Sequence, residues 1–182
     1  SHVFIQGYRP GALALRGFGP LDLALVRPGI VYVSLSAYGE AGPWQERRGF
    51  DSLVQSAMGF NLAEATAAGV TNPKPLPMQI LDYGTGHLMA FAVAAALRRQ
   101  HMEGGSWHVR ISLAQTGHWL RSLGRVDNGF AVKVPQREPY IESGPSGFGE
   151  LAALRHSAVL SATPARWVRA SAPPGTHAPV WP

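Results

Sequence analysis

The sequence predicts an α/β fold, and three observations predict it. Strand-like and helix-like segments alternate over most of the chain, the pattern of an α/β unit. Ile30–Ala37 (Ile-Val-Tyr-Val-Ser-Leu-Ser-Ala) is rich in β-branched residues and lies between Gly29 and Gly39, as an interior strand does. Leu88–Leu97 carries no charge on any face, and a helix apolar all round belongs in an interior.

Each element follows in order. Val3–Tyr8 reads as a short strand, which Arg9-Pro10-Gly11 turns into Ala12–Arg16. Pro20 suits the first turn of a helix through Val26, and Arg27-Pro28-Gly29 ends it. After the strand Ile30–Ala37, the Gly39–Trp44 stretch is an exposed loop. Asp51 is placed to cap a helix running to about Met58. Ala63–Ala68 forms another turn or two, and the prolines of Val70–Pro77 make a loop. A long helix is expected over roughly 84–101. Gly104-Gly105-Ser106 turns the chain into Trp107–Ile111, a strand with Val109 and Ile111 on one face and His108 and Arg110 on the other. Ser112–Leu123 reads as a helix with Leu113, Trp119 and Leu120 inward.

Beyond about residue 125 the chain is rich in proline and glycine, which excludes long helices. This region, 125–182, is expected to lie extended on the surface or on a partner, separate from a core at 1–124. Regular structure within it is expected only over Gly147–Ser161.

Composition limits the function classes. With 46% hydrophobic and 15% charged residues in 182, a core is expected and global disorder is not. The absence of cysteine excludes disulfides, thiolate metal sites and a cysteine nucleophile, and fits a cytoplasmic chain. No metal site is expected. No apolar run reaches the ~18 residues of a membrane span. The first residues, Ser-His-Val-Phe-Ile-Gln-Gly-Tyr, read as a strand already under way rather than a signal peptide, with no initiator Met, so the chain is expected to be cut from a longer one. The net charge of +5 and pI near 10.1 suit an anionic partner. The basic residues are scattered, however, with no Lys/Arg run, zinc-finger spacing or RNA-binding aromatic signature. A phosphate-bearing small molecule is therefore the expected partner, rather than nucleic acid or membrane.

Among four aspartates (Asp22, Asp51, Asp82 and Asp127), Asp82 is placed where the long helix should begin. One reading is an N-cap, for which aspartate is well suited. The other is an ionised, partly desolvated carboxylate near the helix N-terminus, where the dipole favours the anion and a fixed carboxylate can act as a nucleophile. The local sequence leaves both open.

Several segments together resemble family III CoA-transferases, the superfamily of formyl-CoA transferase, carnitine CoA-transferase and alpha-methylacyl-CoA racemase. They are Gly7-Tyr8-Arg9-Pro10-Gly11, Ile30–Gly39, Gly42-Pro43-Trp44, Gly49-Phe50-Asp51, Asp82–Gly86, Gly104-Gly105 and Val109–Leu113. Their order and spacing agree with the family over about residues 3–120. The resemblance implies a Rossmann-like α/β domain in which Asp82 is the catalytic aspartate, with no tightly bound cofactor and with acyl-CoA and a carboxylic acid as substrates. It also implies contacts to coenzyme A from Gly7, Tyr8 and Arg9 beside the adenosine part, and from Arg48, Gly49 and Phe50 beside the pantetheine and phosphates. The family's racemases carry histidine where this chain has Phe50, and His87 and His118 do not stand in that motif, so transfer is expected over racemisation. The family's N-terminal nucleotide-binding strands, small lid and glycine-rich loop of oxyanion donors have no match here; Gly144–Gly149 is a stand-in for the loop in composition alone. A chain without them could bind CoA or dimerise without turning over. Family members are homodimers of interlocked chains, and the same is implied here. The acyl donor and acceptor are not legible.

Overall fold

The structure is a computed structural model, and it describes residues 1–180. Two compact units divide the chain, the first over Ser1–Phe130 and the second from Ala131 onward.

The first unit is built on three parallel strands: β1 (Val3–Gln6), β2 (Val31–Ser36) and β3 (Trp107–Ser112). Their order is β1-β2-β3, so β2 is central, with Val3 opposite Val31 and Val31 opposite Trp107. Parallel neighbours need crossover connections, usually helical. From β1 to β2 the crossover carries α1 (Pro20–Val26). From β2 to β3 it carries α2 (Asp51–Ala57), α3 (Phe60–Ala68) and α4 (Ile80–Glu103), and α5 (Leu113–Ser122) leaves β3 directly.

The period-2 alternation of the strands splits the sheet into two unlike faces. Val31 and Val33 are fully buried and pack with Val109 against Met89, Val93, Ala96 and Leu97 of α4. On the other face the buried side chains are polar: the Tyr32 hydroxyl donates to the Phe18 carbonyl (2.9 Å), and Ser34 Oγ meets His108 Nε2 (2.8 Å). A second cluster of Val54, Phe60, Leu81 and Leu113 joins α2, α3, α4 and α5, with Leu35 and Ala37 from the end of β2 packed against it. This cluster forms the floor beneath the candidate site.

Two expectations need correction, while a third holds: the long helix expected over roughly 84–101 runs over Ile80–Glu103, starting within a few residues of Gly84. Gly84 and Gly86 lie inside it, and Gly84 allows close approach: a Cβ there would stand 3.3 Å from Thr116 Cγ2 on α5. However, α4 is not interior all round. Leu81, Thr85 and Ala96 are its buried residues, while Phe91 is 75% exposed, because a three-stranded sheet covers only one side of it. Its 24 residues are long and apolar enough to cross a membrane by length and composition, yet one face is seated on the sheet. On α5 the buried line is Leu113, Thr116 and Gly117, which leaves Trp119 at 44% exposure rather than inward.

In the second unit β4 (Ile141–Ser146) and β5 (Gly149–Leu154) form an antiparallel hairpin. Regular structure thus begins and ends earlier than Gly147–Ser161, and Val159 and Leu160 lie outside any strand. Pro145 is accommodated because each strand of a two-stranded hairpin is an edge strand. None of the described residues of this unit is buried.

Candidate active site

All three strands of the first unit end at one cleft. In open parallel sheets, ligands bind in the crevice outside the carboxyl ends of the strands. Here Gly7, Tyr8, Arg9 and Pro10 follow β1, Leu35, Ser36 and Ala37 close β2, and Leu113 follows β3. Helices of such units run back antiparallel to the strands, so the first turn of α4 delivers Asp82 to the same edge. The loop before α2 supplies Arg47, Arg48, Gly49 and Phe50. The cleft holds about 440 Å³. Gly7, Tyr8, Arg9, Arg48, Gly49, Phe50 and Asp82, nominated from three separate segments, all line it. A larger hollow of about 620 Å³ lies within the second unit, lined mainly by small and apolar residues with Glu142 and Arg169, and holds none of the nominated residues.

Local bonds hold these segments in place. The Tyr8 N–H donates to Gln6 Oε1 (2.8 Å) and the Ala12 N–H to the Arg9 carbonyl (3.0 Å), which tightens the Gly7–Ala12 turn. Ser112 caps α5 through its side chain, accepting from the Gln115 N–H (3.1 Å), and the Ala114 N–H reaches the Ala37 carbonyl (2.9 Å). Gly49 is wedged against the end of β2: a Cβ there would stand 2.9 Å from Ala37 Cβ and from Val54 Cγ2. Only glycine fits without displacement.

Asp82 is not the N-cap of α4. Gln79 holds that position, makes no side-chain cap bond, and Asp82 sits inside the first turn. Its own N–H is instead capped from α2, where Asp51 Oδ2 accepts it (2.8 Å). Asp51 likewise does not cap its own helix. Phe50 is the N-cap of α2, and Asp51 is the first helical residue, buried, with its carboxylate turned to α4. No donor among the described residues meets the Asp82 carboxyl oxygens, and the residue is exposed to the cleft. Desolvation, and next the Asp51 charge, push its carboxyl above the ordinary carboxylate range, opposite to the direction in which a helix dipole would move it.

The rim of the cleft is cationic. Among the described residues, ion pairs join Arg99 to Glu103, Arg110 to Glu40 and Arg125 to Glu64, which leaves Arg9, Arg47 and Arg48 without a carboxylate partner. Arg47 lies over the Trp44 ring (4.6 Å to the centroid), and Trp44 meets Tyr38 edge-on (5.0 Å). Sequence reasoning missed Arg47; its position next to Arg48 before a Gly-aromatic-Asp helix start was the available signal. No histidine lines the cleft among the described residues: His87 on α4 and His118 on α5 are exposed elsewhere. Gly144–Gly149 forms the closed end of the hairpin in the second unit. No cluster of metal ligands occurs among the described residues.

Over residues 1–173 the chain matches CoA-transferase family III. It belongs to that family. Similar family III proteins include a probable fatty acyl-CoA transferase of Mycobacterium tuberculosis (Rv3272), 34% identical over 141 residues, which cover 76% of this chain and 35% of that protein. The human succinyl-CoA:glutarate CoA-transferase is 30% identical over 102 residues, 56% of this chain and 23% of its own. A crystal structure of Rv3272 in an orthorhombic form superposes with a TM-score of 0.62 at 32% identity, over 68% of this chain and 34% of that one. This family III chain thus spans about a third of the length of that relative.

Proposed function

We propose that this protein transfers CoA between carboxylic acids, with the Asp82 carboxylate as covalent nucleophile. The observation that carries the reading is the meeting, in one cleft at the carboxyl edge of the sheet, of Asp82 with the six residues nominated for coenzyme A contact. Two features of the cleft support it. Three guanidiniums without carboxylate partners among the described residues suit a polyanion such as CoA. An aspartate with free oxygens and a raised pKa suits attack on a carbonyl.

The exchange takes four covalent steps at Asp82. An Asp82 oxygen attacks the acyl-CoA carbonyl and expels CoA thiolate, giving a mixed aspartyl anhydride. The thiolate attacks the aspartyl carbonyl of that anhydride and releases the first carboxylate, leaving an aspartyl-CoA thioester. An incoming carboxylate attacks this thioester and frees the thiolate again. Attack of the thiolate on the new acyl carbonyl releases new acyl-CoA and restores Asp82. Splitting one exchange into covalent steps lets a single carboxylate serve both substrates. Racemisation needs a second proton-transfer group, and Phe50 cannot transfer a proton.

The same reading includes a Rossmann-like domain, a homodimer of interlocked chains, wrapping by the proline-rich region beyond about residue 125, and a cytoplasmic location. The relatives' names differ in acyl group, fatty acyl in one and succinyl and glutarate in another, so the class of reaction is proposed here and not its acids. The test uses the natural gene product. Asp82→Asn keeps the side chain's shape and removes the anion, so CoA exchange should fall by orders of magnitude while the fold survives. Hydroxylamine after incubation with acyl-CoA should modify Asp82 and no other carboxylate. An Asp82→Asn enzyme that transfers CoA at the wild-type rate refutes the assignment.

A further inference from the structure

Asp51 is an unusual aspartate for this chain. It is 1% exposed, yet it serves neither a surface ion pair nor the start of its own helix. Its Oδ2 accepts the Asp82 N–H (2.8 Å), and its Oδ1 accepts from Gln55 Nε2 one turn along α2. The same Gln55 amide donates to the Met78 carbonyl (3.0 Å), just ahead of α4. Asp51 and Gln55 therefore grip the entry to α4 at two points. The first-turn N–H groups of a helix need acceptors from outside the turn. A carboxylate from α2 meets that need here, and the Asp82 oxygens stay free of it.

We infer that Asp51 is a positioning residue for Asp82: it fixes the first turn of α4 through the Asp82 N–H and holds a negative charge beside the Asp82 carboxyl. This rests on the reading of Asp82 as the nucleophile. A like charge nearby disfavours ionisation, which makes the carboxylate more basic and a stronger nucleophile once it is ionised. The direction of the Asp82 pKa agrees, with the Asp51 charge as its second cause after desolvation. The ionisable groups that share the cleft with Asp82 are the guanidiniums of Arg9, Arg47 and Arg48 and the Tyr8 hydroxyl, and Leu113 lines it from the start of α5.

The experiment compares wild-type protein, Asp51→Asn and Asp51→Ala as the natural gene product. Asn keeps an oxygen that can accept the Asp82 N–H and removes the charge, whereas Ala removes both. With aspartate ¹³C-labelled at Cγ, Asp82→Asn assigns the signal from Asp82 by its disappearance. The Asp82 carboxyl should titrate at lower pH in Asp51→Asn than in wild type. The acidic limb of the kcat profile should move down with it, with kcat reduced about tenfold and KM for acyl-CoA nearly unchanged, as expected when a transition-state interaction is lost. Asp51→Ala should lose more kcat than Asp51→Asn, because the backbone bond goes as well. An Asp82 midpoint unmoved in Asp51→Asn overturns the inference, as does wild-type kcat in Asp51→Ala. Should the Asn variant not fold, Asp51→Ser, which also keeps an acceptor without the charge, takes its place in the titration. If Asp82→Asn proves fully active, the nucleophile reading falls by itself and the titration still decides whether Asp51 sets the Asp82 charge.

Discussion

Replacing Gly49 by alanine adds one methyl group at the tightest point of the site. The new carbon would stand 2.9 Å from Ala37 Cβ, 2.9 Å from Val54 Cγ2 and 3.1 Å from Tyr38 Cε2. Val54 is fully buried in the cluster under the cleft and Ala37 directly follows β2 and packs on that cluster, so neither neighbour is the far end of a flexible side chain. Overpacking of this kind costs about 1–3 kcal/mol. At the roughly 2–4 °C per kcal/mol typical of chains this long, Tm should fall by about 2–12 °C. Relief by displacement would carry Arg48 and Phe50 away from the cleft, so CoA affinity should weaken along with stability. Thermal unfolding by circular dichroism measures the first effect and titration calorimetry with CoA the second. Val54→Ala supplies an internal check. It removes one clashing methyl, so its destabilisation should be smaller in the Gly49→Ala background than alone, as expected of residues in contact. A Gly49→Ala protein with wild-type Tm and wild-type CoA affinity would show that the loop is loosely seated and that this reasoning is wrong.

Two further outcomes are expected. Thr85 donates to Thr116 (2.7 Å) and Thr116 donates to the Ser112 carbonyl (3.2 Å), with both hydroxyls buried between α4 and α5. Thr116→Val strands the Thr85 hydroxyl and should cost about 1–3 kcal/mol in urea unfolding, more than Thr85→Val, which removes only a donor; equal costs would contradict the assigned directions. Because the Asp82 pKa is raised in the folded state, its contribution to stability is fully present below the unfolded carboxyl pKa and lost as pH rises through the folded one. Asp82→Asn should therefore gain stability relative to wild type between acid and neutral pH, modestly because the residue faces solvent; a difference constant with pH would contradict the raised pKa.

Much of this protein was legible in its residues. β2 was expected at Ile30–Ala37 and lies at Val31–Ser36, because an apolar β-branched run between glycines has one stable use in an α/β chain. The helix Pro20–Val26 was readable to the residue from its proline and its Pro-Gly stop. The site residues were nominated by family resemblance, and their meeting in one cleft follows from the parallel sheet, whose carboxyl edge collects loops far apart in sequence. Tertiary structure alone decided the rest. Asp51 and Asp82 each looked like a cap for its own helix, since local preference sees only neighbours in sequence. In the fold, α2 lies beside the start of α4, and the Asp51 carboxylate satisfies a backbone N–H 31 residues away. The uncharged stretch of α4 looked interior, and Ala90, Phe91, Ala94 and Ala95 within it are exposed, because apolar periodicity reports what a face could bury and only the number of layers packed around it determines what is buried.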